Sequence, residues 1–201
     1  AVGNCQCRLA MELAGKGCGR PLENCVVMGR NAKTFIERGL MRLSDAREVL
    51  AIKKEAEAAG CVSWINRQIG SEPTGNSSCS CCGCCCHAMR SITQFNSPGL
   101  ISPPRFYPEA DDSRCVSCGK CSKTCPMGAI SQVGKKIVLD RARCIGCGLC
   151  VLSCSFQALH LTEANPPPSR SSTRADLFFD LVPGYLSNAF RVWLKRKVFR
   201  R

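Results

Sequence analysis

The sequence has little of what an ordinary hydrophobic core or a membrane protein is built from. Aromatic residues make up 6% of its 201 residues and charged residues 21%. No apolar run approaches the roughly 20 residues that span a bilayer, and no collagen-type glycine repeat occurs. These absences exclude membrane-spanning and collagen-like classes. No secretory signal begins the sequence, and the missing initial Met indicates a processed chain or a piece of a longer one.

Signatures of nucleotide and flavin chemistry are also missing. No Gly-x-Gly-x-x-Gly follows a predicted strand, and no Gly-Lys-Ser/Thr phosphate loop is present. The glycine-rich segment 15–19 lacks the strand–loop–helix frame, so we expect it to let the backbone approach a metal site. Acidic residues are few, and Asp111-Asp112 is their only adjacent pair. We therefore expect no catalytic site and no hydride transfer in this chain.

Cysteine is the residue present in excess, with 19 in the chain. Disulfides, zinc and iron–sulfur clusters are the three explanations that compete. Disulfides need paired Cα atoms about 4.4–6.8 Å apart, and the run Cys84-Cys85-Cys86 hardly meets this condition because neighbouring side chains diverge. An odd number also leaves one thiol over. Metal binding is favoured, and Cys-x2-Cys pairs suit zinc as well, so the spacing has to decide.

Two segments of residues 111–165 repeat at a period of 29 residues. Each has the pattern Cys-x2-Cys-x2-Cys-x3-Cys, the first at Cys115, Cys118, Cys121 and Cys125 and the second at Cys144, Cys147, Cys150 and Cys154. Three thiolates so spaced on a loop reach three irons of one cube, while Gly119, Gly146 and Gly148 let the backbone approach it. The fourth cysteine starts a helical turn that faces away, toward a second cluster.

The duplicated segment resembles the two-cluster bacterial ferredoxin domain over about 50 residues. The resemblance implies a pseudo-twofold (βαβ)2 fold with two 4Fe–4S clusters. It also implies two ligand sets, Cys115, Cys118, Cys121 and Cys154 for one cluster and Cys125, Cys144, Cys147 and Cys150 for the other. Ser155 stands where the family has proline, so we expect a looser loop after Cys154. A hairpin is predicted over 129–140, with residues 158–162 as its counterpart.

Eleven further cysteines lie in the first 96 residues, and ten of them are candidate metal ligands: Cys5, Cys7, Cys18, Cys25, Cys79, Cys81, Cys82, Cys84, Cys85 and Cys86. Their arrangement resembles that of a group of bacterial and archaeal 4Fe–4S dicluster proteins with a cysteine-rich module before the ferredoxin domain. Because consecutive side chains point apart, adjacent cysteines are expected to reach two neighbouring clusters, or one cluster together with the cysteines at 5–25. We predict one or two additional iron–sulfur clusters of open pairing; a zinc site or reduced thiols is the alternative. Cys61 is predicted to be a small buried hydrophobe, and His87 and His160 to be structural.

The predicted fold is α+β, a ferredoxin-like (βαβ)2 dicluster domain behind a mainly helical or irregular module stapled by metal clusters. The boundaries are 1–96 for the cysteine-rich module, 97–110 for a linker, 111–165 for the dicluster domain and 166–201 for a linker and basic tail. Helices are predicted over 34–43 and from an Asp45 cap to Gly60. Val49, Leu50 and Ile52 should pack inward in the second helix, and Lys53 should be solvated.

The formal net charge is +13, and basic residues are concentrated after residue 170. A basic amphipathic helix is predicted over 185–201, with Phe190, Trp193, Lys195, Arg196 and Lys197 as candidate partner-binding residues. Such helices bind partner grooves or anionic membrane surfaces, and packing onto the same chain is the alternative. No helix-turn-helix or stacking-aromatic pattern accompanies the basic residues, so nucleic acid is not the expected partner.

The sequence thus predicts an iron–sulfur electron-transfer protein that relays electrons within a larger redox complex of flavin- or cluster-bearing subunits. We expect it in a reducing, anaerobic cytoplasm, with contact to the inner face of the membrane through that complex. An independent soluble ferredoxin-type carrier is the first alternative. A cluster-dependent sensor or nucleic-acid-binding scaffold is the alternative of another class.

Overall fold

The computed structural model describes residues 1–66, 76–97, 101, 103–168 and scattered positions between Phe178 and Trp193. The helices are α1 (Gln6–Leu13), α2 (Arg30–Glu37), α3 (Ala46–Ala58), α4 (His87–Thr93), α5 (Lys120–Thr124) and α6 (Leu149–Leu152). The strands are β1 (Val2–Asn4), β2 (Glu23–Val27), β3 (Val62–Asn66), β4 (Ser77–Cys81), β5 (Phe106–Ala110), β6 (Ile130–Val133), β7 (Lys136–Leu139) and β8 (Leu159–Glu163). Among the described residues, none of the helices has the length and apolarity needed to cross a bilayer.

The cysteine-rich module is built on a four-stranded antiparallel sheet of order β1-β2-β4-β3. The expectation of a mainly helical or irregular module missed this sheet, although helices α1 to α4 are present in the module. Strand β4 was not predicted, because its Ser-Ser-Cys-Ser-Cys sequence has none of the β-branched and aromatic residues that are typical of strands. Its backbone is nonetheless paired on both sides, by β2 and by β3, so it is a fixed platform for the cysteines that it carries.

Helix α3 begins as the sequence predicts. The side chain of Asp45 accepts a hydrogen bond from the backbone N–H of Glu48 at 2.8 Å, which satisfies one of the free donors of the first turn. Gly60, with φ of 76°, follows the end of the helix. The predicted packing face was wrong in part, because Leu50 is 55% exposed whereas Ala56 is completely buried.

The other predicted helix, over 34–43, lies earlier in the chain, at Arg30–Glu37. Gly29, with φ of 72°, precedes it as the capping residue. The sequence signal was the run of apolar residues after Thr34, and this run begins later than the helix does. The first turn of α2 contains no buried residue that could have marked the start of the helix.

The dicluster region has the element order β5-α5-β6-β7-α6-β8. Strands β6 and β7 form the predicted hairpin, while β8 pairs with β5 in antiparallel fashion. Residues 97–110 were predicted to be a linker; this was wrong for the segment 106–110, which is β5. Pro108 masked the strand in the sequence, since proline removes a donor from the ladder, yet it is tolerated in a sheet of only two strands.

One buried core joins the cysteine-rich module to the dicluster region. It consists of Val62, Cys86, Met89 and Ile92 from the first and Met127, Ala129 and Leu149 from the second. Between them the backbones come very close, since a Cβ atom on Gly83 would overlap the carbonyl oxygen of Pro126. The hydroxyl of Thr93 donates to the carbonyl oxygen of Gly83 at 2.8 Å and fixes that turn. The metal-binding segments of the two parts are therefore neighbours.

Candidate iron–sulfur and metal centres

The cysteines of the duplicated motif line two separate cavities. The first is bordered by Cys125, Cys144, Cys147 and Cys150. The second is bordered by Cys115, Cys118, Cys121 and Cys154. Each cavity thus combines the first three cysteines of one motif with the fourth of the other. This is the exchange that the ferredoxin resemblance implied; cluster ligation at these residues stays a prediction.

The two halves position their fourth cysteine in the same way. The Sγ atom of Cys125 accepts the backbone N–H of Ala129 at 3.3 Å, and the Sγ atom of Cys154 accepts that of Ala158, also at 3.3 Å. Hydrogen bonds to sulfur stabilise a thiolate and tune the potential of a cluster bound to it. The replacement of proline by Ser155 therefore leaves the hydrogen bond to Cys154 intact.

Glycines allow the chain to turn into the two short helices beside the cavities. Gly119 and Gly148 cap α5 and α6 with φ of 71° and 76°, values that side chains rarely tolerate. At Gly146, a Cβ atom would come within 2.6 Å of the carbonyl oxygen of Phe106. The loop of the second motif thus packs directly on β5, which explains why this strand belongs to the dicluster region.

The two cavities differ in their exposure to water. Cys118 is exposed, whereas Cys150 is only 7% exposed. Burial raises the pKa of Cys150 to about 12 and also raises the pKa of Cys147. At Cys154 burial acts in the same direction, but backbone N–H groups, that of Ala158 first, outweigh it and lower the pKa of the thiol. The cavity of Cys118 thus has one cysteine at the surface, whereas none of the four cysteines around the other cavity is exposed.

In the cysteine-rich module, eight cysteines form two groups. The expectation that adjacent cysteines reach different sites is wrong for Cys84 and Cys85, which belong to the same group. We call the first the compact tetrad; its four Sγ atoms all lie within 4.8 Å of one another, and they belong to Cys18, Cys82, Cys84 and Cys85. We call the second the cysteine chain, in which each thiol is close enough to the next to shift its pKa; its members are Cys25, Cys79, Cys81 and Cys86. The neighbours Cys81 and Cys82 are thus divided between the two groups, because side chains alternate along β4.

The remaining thiols of this module lie beside these groups. Cys5 is near enough to Cys25 to raise the pKa of that thiol by charge repulsion, although the hydrogen bond from Cys79 has the larger effect. The Sγ atom of Cys7 lies 3.3 Å from Nδ1 of His87, a contact that the sequence did not indicate. Cys61 is completely buried, as predicted.

Two arginines approach the compact tetrad, and sequence reasoning missed both. Arg8 is only 2% exposed and donates to the carbonyl oxygens of Pro21 and Ser80. Its Nη2 atom lies 3.3 Å from Sγ of Cys61 and 3.7 Å from Sγ of Cys82, and Nη1 of Arg20 lies 3.4 Å from Sγ of Cys84. The signal was present in the sequence, because each arginine lies within two residues of a cysteine. Positive charge is therefore built into the surroundings of these thiols.

Lys53 brings a third positive charge, to the cysteine chain. It was predicted to be solvated, which is wrong: its Nζ atom donates to the carbonyl oxygen of Ser78 and to the hydroxyl of Ser80, both at 3.0 Å. Burial lowers the pKa of Lys53, and the nearby thiols of Cys79 and Cys25 oppose that effect. Helical periodicity could not find this contact, since it depends on how α3 packs across β4.

The structure describes two of the five predicted partner-binding residues. Phe190 and Trp193 are 61% and 50% exposed, and their rings stack with centroids 5.9 Å apart. Lys195, Arg196 and Lys197 lie outside the described residues. The role of these five residues in partner binding stays a prediction.

Comparison with known families assigns the second part of the chain. Residues 107–155 match the family model of the 4Fe–4S dicluster domain. A comparison with curated proteins gives no match. The matched range holds all eight cysteines of the duplicated motif, and the compact tetrad lies before it. The chain therefore carries a 4Fe–4S dicluster domain behind a cysteine-rich N-terminal region, and its chemistry is iron–sulfur electron transfer.

Proposed function

We propose that the protein is a multi-cluster electron relay that works as a subunit of a larger redox complex. Two 4Fe–4S clusters occupy the cavities of the dicluster domain. The ligands of the outer cluster are Cys115, Cys118, Cys121 and Cys154, and those of the inner cluster are Cys125, Cys144, Cys147 and Cys150. A third cluster is held in the N-terminal module by the cysteine chain, Cys25, Cys79, Cys81 and Cys86, with Cys5 beside it.

The observation that carries this proposal is the core shared by the third and the inner cluster sites. Cys86 is part of that core and Cys81 packs against it, and so do Cys125, Cys144 and Cys147 of the inner site. Apolar side chains fill the space between the two sites, so water is kept out of the path between them. A module that merely stabilised the fold would not need to place its metal ligands against the inner cluster site.

The outer cluster site supplies the other end of the relay. Cys118 is exposed and Val116 beside it is 56% exposed, so an external partner can approach this cluster closely. Electrons would then pass between the surface at Cys118 and the N-terminal module through the inner cluster. The same exposed end suits the second candidate function, an independent ferredoxin-type carrier.

A basic groove beside the inner cluster favours a protein partner. Its lining includes the basic side chains of Arg20, Lys54, Lys120 and Lys123, together with Cys125. Glu57 is the single acidic residue among the lining, and a groove in which positive charge predominates attracts an acidic partner and orients it. We therefore propose an acidic, flavin- or cluster-bearing subunit as the partner, with the basic tail as a further contact.

An anaerobic redox titration followed by electron paramagnetic resonance tests the relay. The wild-type chain should show three reducible iron–sulfur centres, and Cys79→Ser should abolish one of them and leave the other two. Cys61→Ser is the matched control, because it makes the same change at a buried thiol outside both cysteine groups, and it should retain all three centres. A wild-type protein with only two reducible centres, unchanged by Cys79→Ser, would contradict the third cluster.

Isolation of the chain under anaerobic conditions separates the two candidate functions. A relay subunit should co-purify with a flavin- or cluster-bearing protein, and the association should weaken as salt screens the basic groove. A chain that remains alone, yet exchanges electrons rapidly with a soluble flavoprotein, would favour the independent carrier.

A further inference from the structure

The compact tetrad is too tight for a cluster of the type that the dicluster domain holds. Its Sγ atoms all lie within 4.8 Å of one another. Two of its pairs are closer still, with Cys18 and Cys82 at 4.0 Å and Cys84 and Cys85 at 3.8 Å. We propose that these four cysteines bind a single zinc ion, and that the site is structural. The assignment does not rest on the proposed electron relay.

Elementary geometry separates the two kinds of centre. One tetrahedral ion with metal–sulfur bonds of about 2.3 Å holds its four sulfurs about 3.8 Å apart. In a 4Fe–4S cube each thiolate binds its own iron, so each pair of sulfurs is farther apart by one iron–iron separation. The Cys84–Cys85 and Cys18–Cys82 distances of 3.8 and 4.0 Å match the spacing of sulfurs around a single ion, and no pair of sulfurs in the tetrad is more than 4.8 Å apart.

The other cysteines of the same chain provide an internal comparison. Across the part of the chain that the structure describes, which includes all eight cysteines of the dicluster domain, no other three candidate ligands lie so close to one another. The fold thus draws the four thiols of the tetrad together as it does no three thiols of the dicluster domain. In the cysteine chain only successive thiols approach one another, and no three of them lie so close.

The charges around the tetrad fit a divalent ion. Four thiolates and one Zn²⁺ carry two negative charges, and Arg8 and Arg20 supply two positive charges at the sulfurs of Cys82 and Cys84. Cationic N–H donors on ligating sulfurs are the outer partners that such a site needs, and they offset the cost of a charged centre in a partly buried place. All four positions around the ion are filled by protein, which is the arrangement of structural zinc.

The position of the tetrad in the chain explains what the ion would stabilise. Cys18 belongs to the glycine-rich loop after α1, and its partner Cys82 lies 64 residues later, directly after β4. A single ion therefore ties the N-terminal loop to the turn that contacts Pro126. A small module with a modest apolar core gains much of its stability from such a metal, and zinc adds no redox state that could interfere with a relay.

X-ray absorption at the zinc edge tests the assignment on the full chain, purified anaerobically without added metal. We expect about one zinc per chain, with four sulfur neighbours at about 2.3 Å. Cys84→Ser, at an exposed member of the tetrad, should lose zinc or replace one sulfur neighbour by oxygen. Cys79→Ser is the matched control in the cysteine chain, and it should retain the zinc with all four sulfur neighbours.

The outcomes that overturn the assignment are distinct from those that overturn the relay. A zinc-free protein with about sixteen irons and about sixteen sulfides per chain would place a fourth cube at the tetrad. A zinc-free protein with one isolated ferric ion in a tetrahedral sulfur site would also contradict zinc. The wild-type spectrum decides even where Cys84→Ser fails to fold. Loss of the third reducible centre alone would contradict the relay and leave the zinc site standing.

Discussion

The contact between Gly83 and Pro126 offers a direct way to separate the N-terminal module from the dicluster domain. In Gly83→Ala the new Cβ atom would overlap the carbonyl oxygen of Pro126 and would also lie 3.3 Å from Cγ2 of Thr93. The group that is met is the backbone of Pro126 and not the end of a flexible side chain, so the two segments must move apart by roughly 1 Å. Overpacking of this kind costs about 1–3 kcal/mol of folding free energy.

Two measurements report on that movement. Denaturant unfolding under anaerobic conditions should show the loss of stability, and the magnetic coupling between the third and the inner cluster should weaken, because it falls steeply with distance. Gly17→Ala is the matched control, since its nearest new contact is an ordinary one, 3.4 Å to Cγ of Glu12. Equal stability and equal magnetic coupling in Gly83→Ala and Gly17→Ala would show that the contact between Gly83 and Pro126 is neither tight nor functional.

Three further predictions concern the cluster ligands, their charge environment and the helix that supports them. Cys118→Ser and Cys154→Ser should abolish the same paramagnetic signal, and Cys125→Ser the other one; if Cys154→Ser instead affects the signal that Cys125→Ser removes, the exchange of fourth ligands is wrong. Lys53→Gln should lower the reduction potential of the third cluster, because a nearby positive charge stabilises the reduced, more negative state. A redox titration measures this potential, and an unchanged value would contradict the placement of the third cluster. Asp45→Ala should cost about 1 kcal/mol of stability through the lost cap of α3, without altering any cluster signal, and calorimetry or denaturant unfolding checks it.

Local spacing made the dicluster domain predictable. Its candidate ligands lie within a short stretch of sequence. Gly119 and Gly148 have the positive φ angles that a close approach of the backbone to a cluster requires. The cap at Asp45 was predictable for the same reason, since the residues that form it are three positions apart. The family match at 107–155 confirms the 4Fe–4S dicluster domain.

Contacts between distant segments could not be predicted from the sequence. The sheet of the N-terminal module depends on β4, whose serines and cysteines carry no strand signal. The division of its cysteines into a tetrad and a chain follows from the alternation along that strand and from Cys18, which is contributed by a loop far earlier in the chain. Lys53 belongs to a helix face that looks solvated in sequence, but it is covered by the packing of α3 on β4.

We propose that the N-terminal module adds a third iron–sulfur cluster to the two of the dicluster domain. Quantitative analysis of iron and acid-labile sulfide in the anaerobically purified full chain tests it most directly. Three cubes predict about twelve irons and about twelve sulfides per chain. About eight of each would contradict the account, because the dicluster domain alone would then hold all the iron.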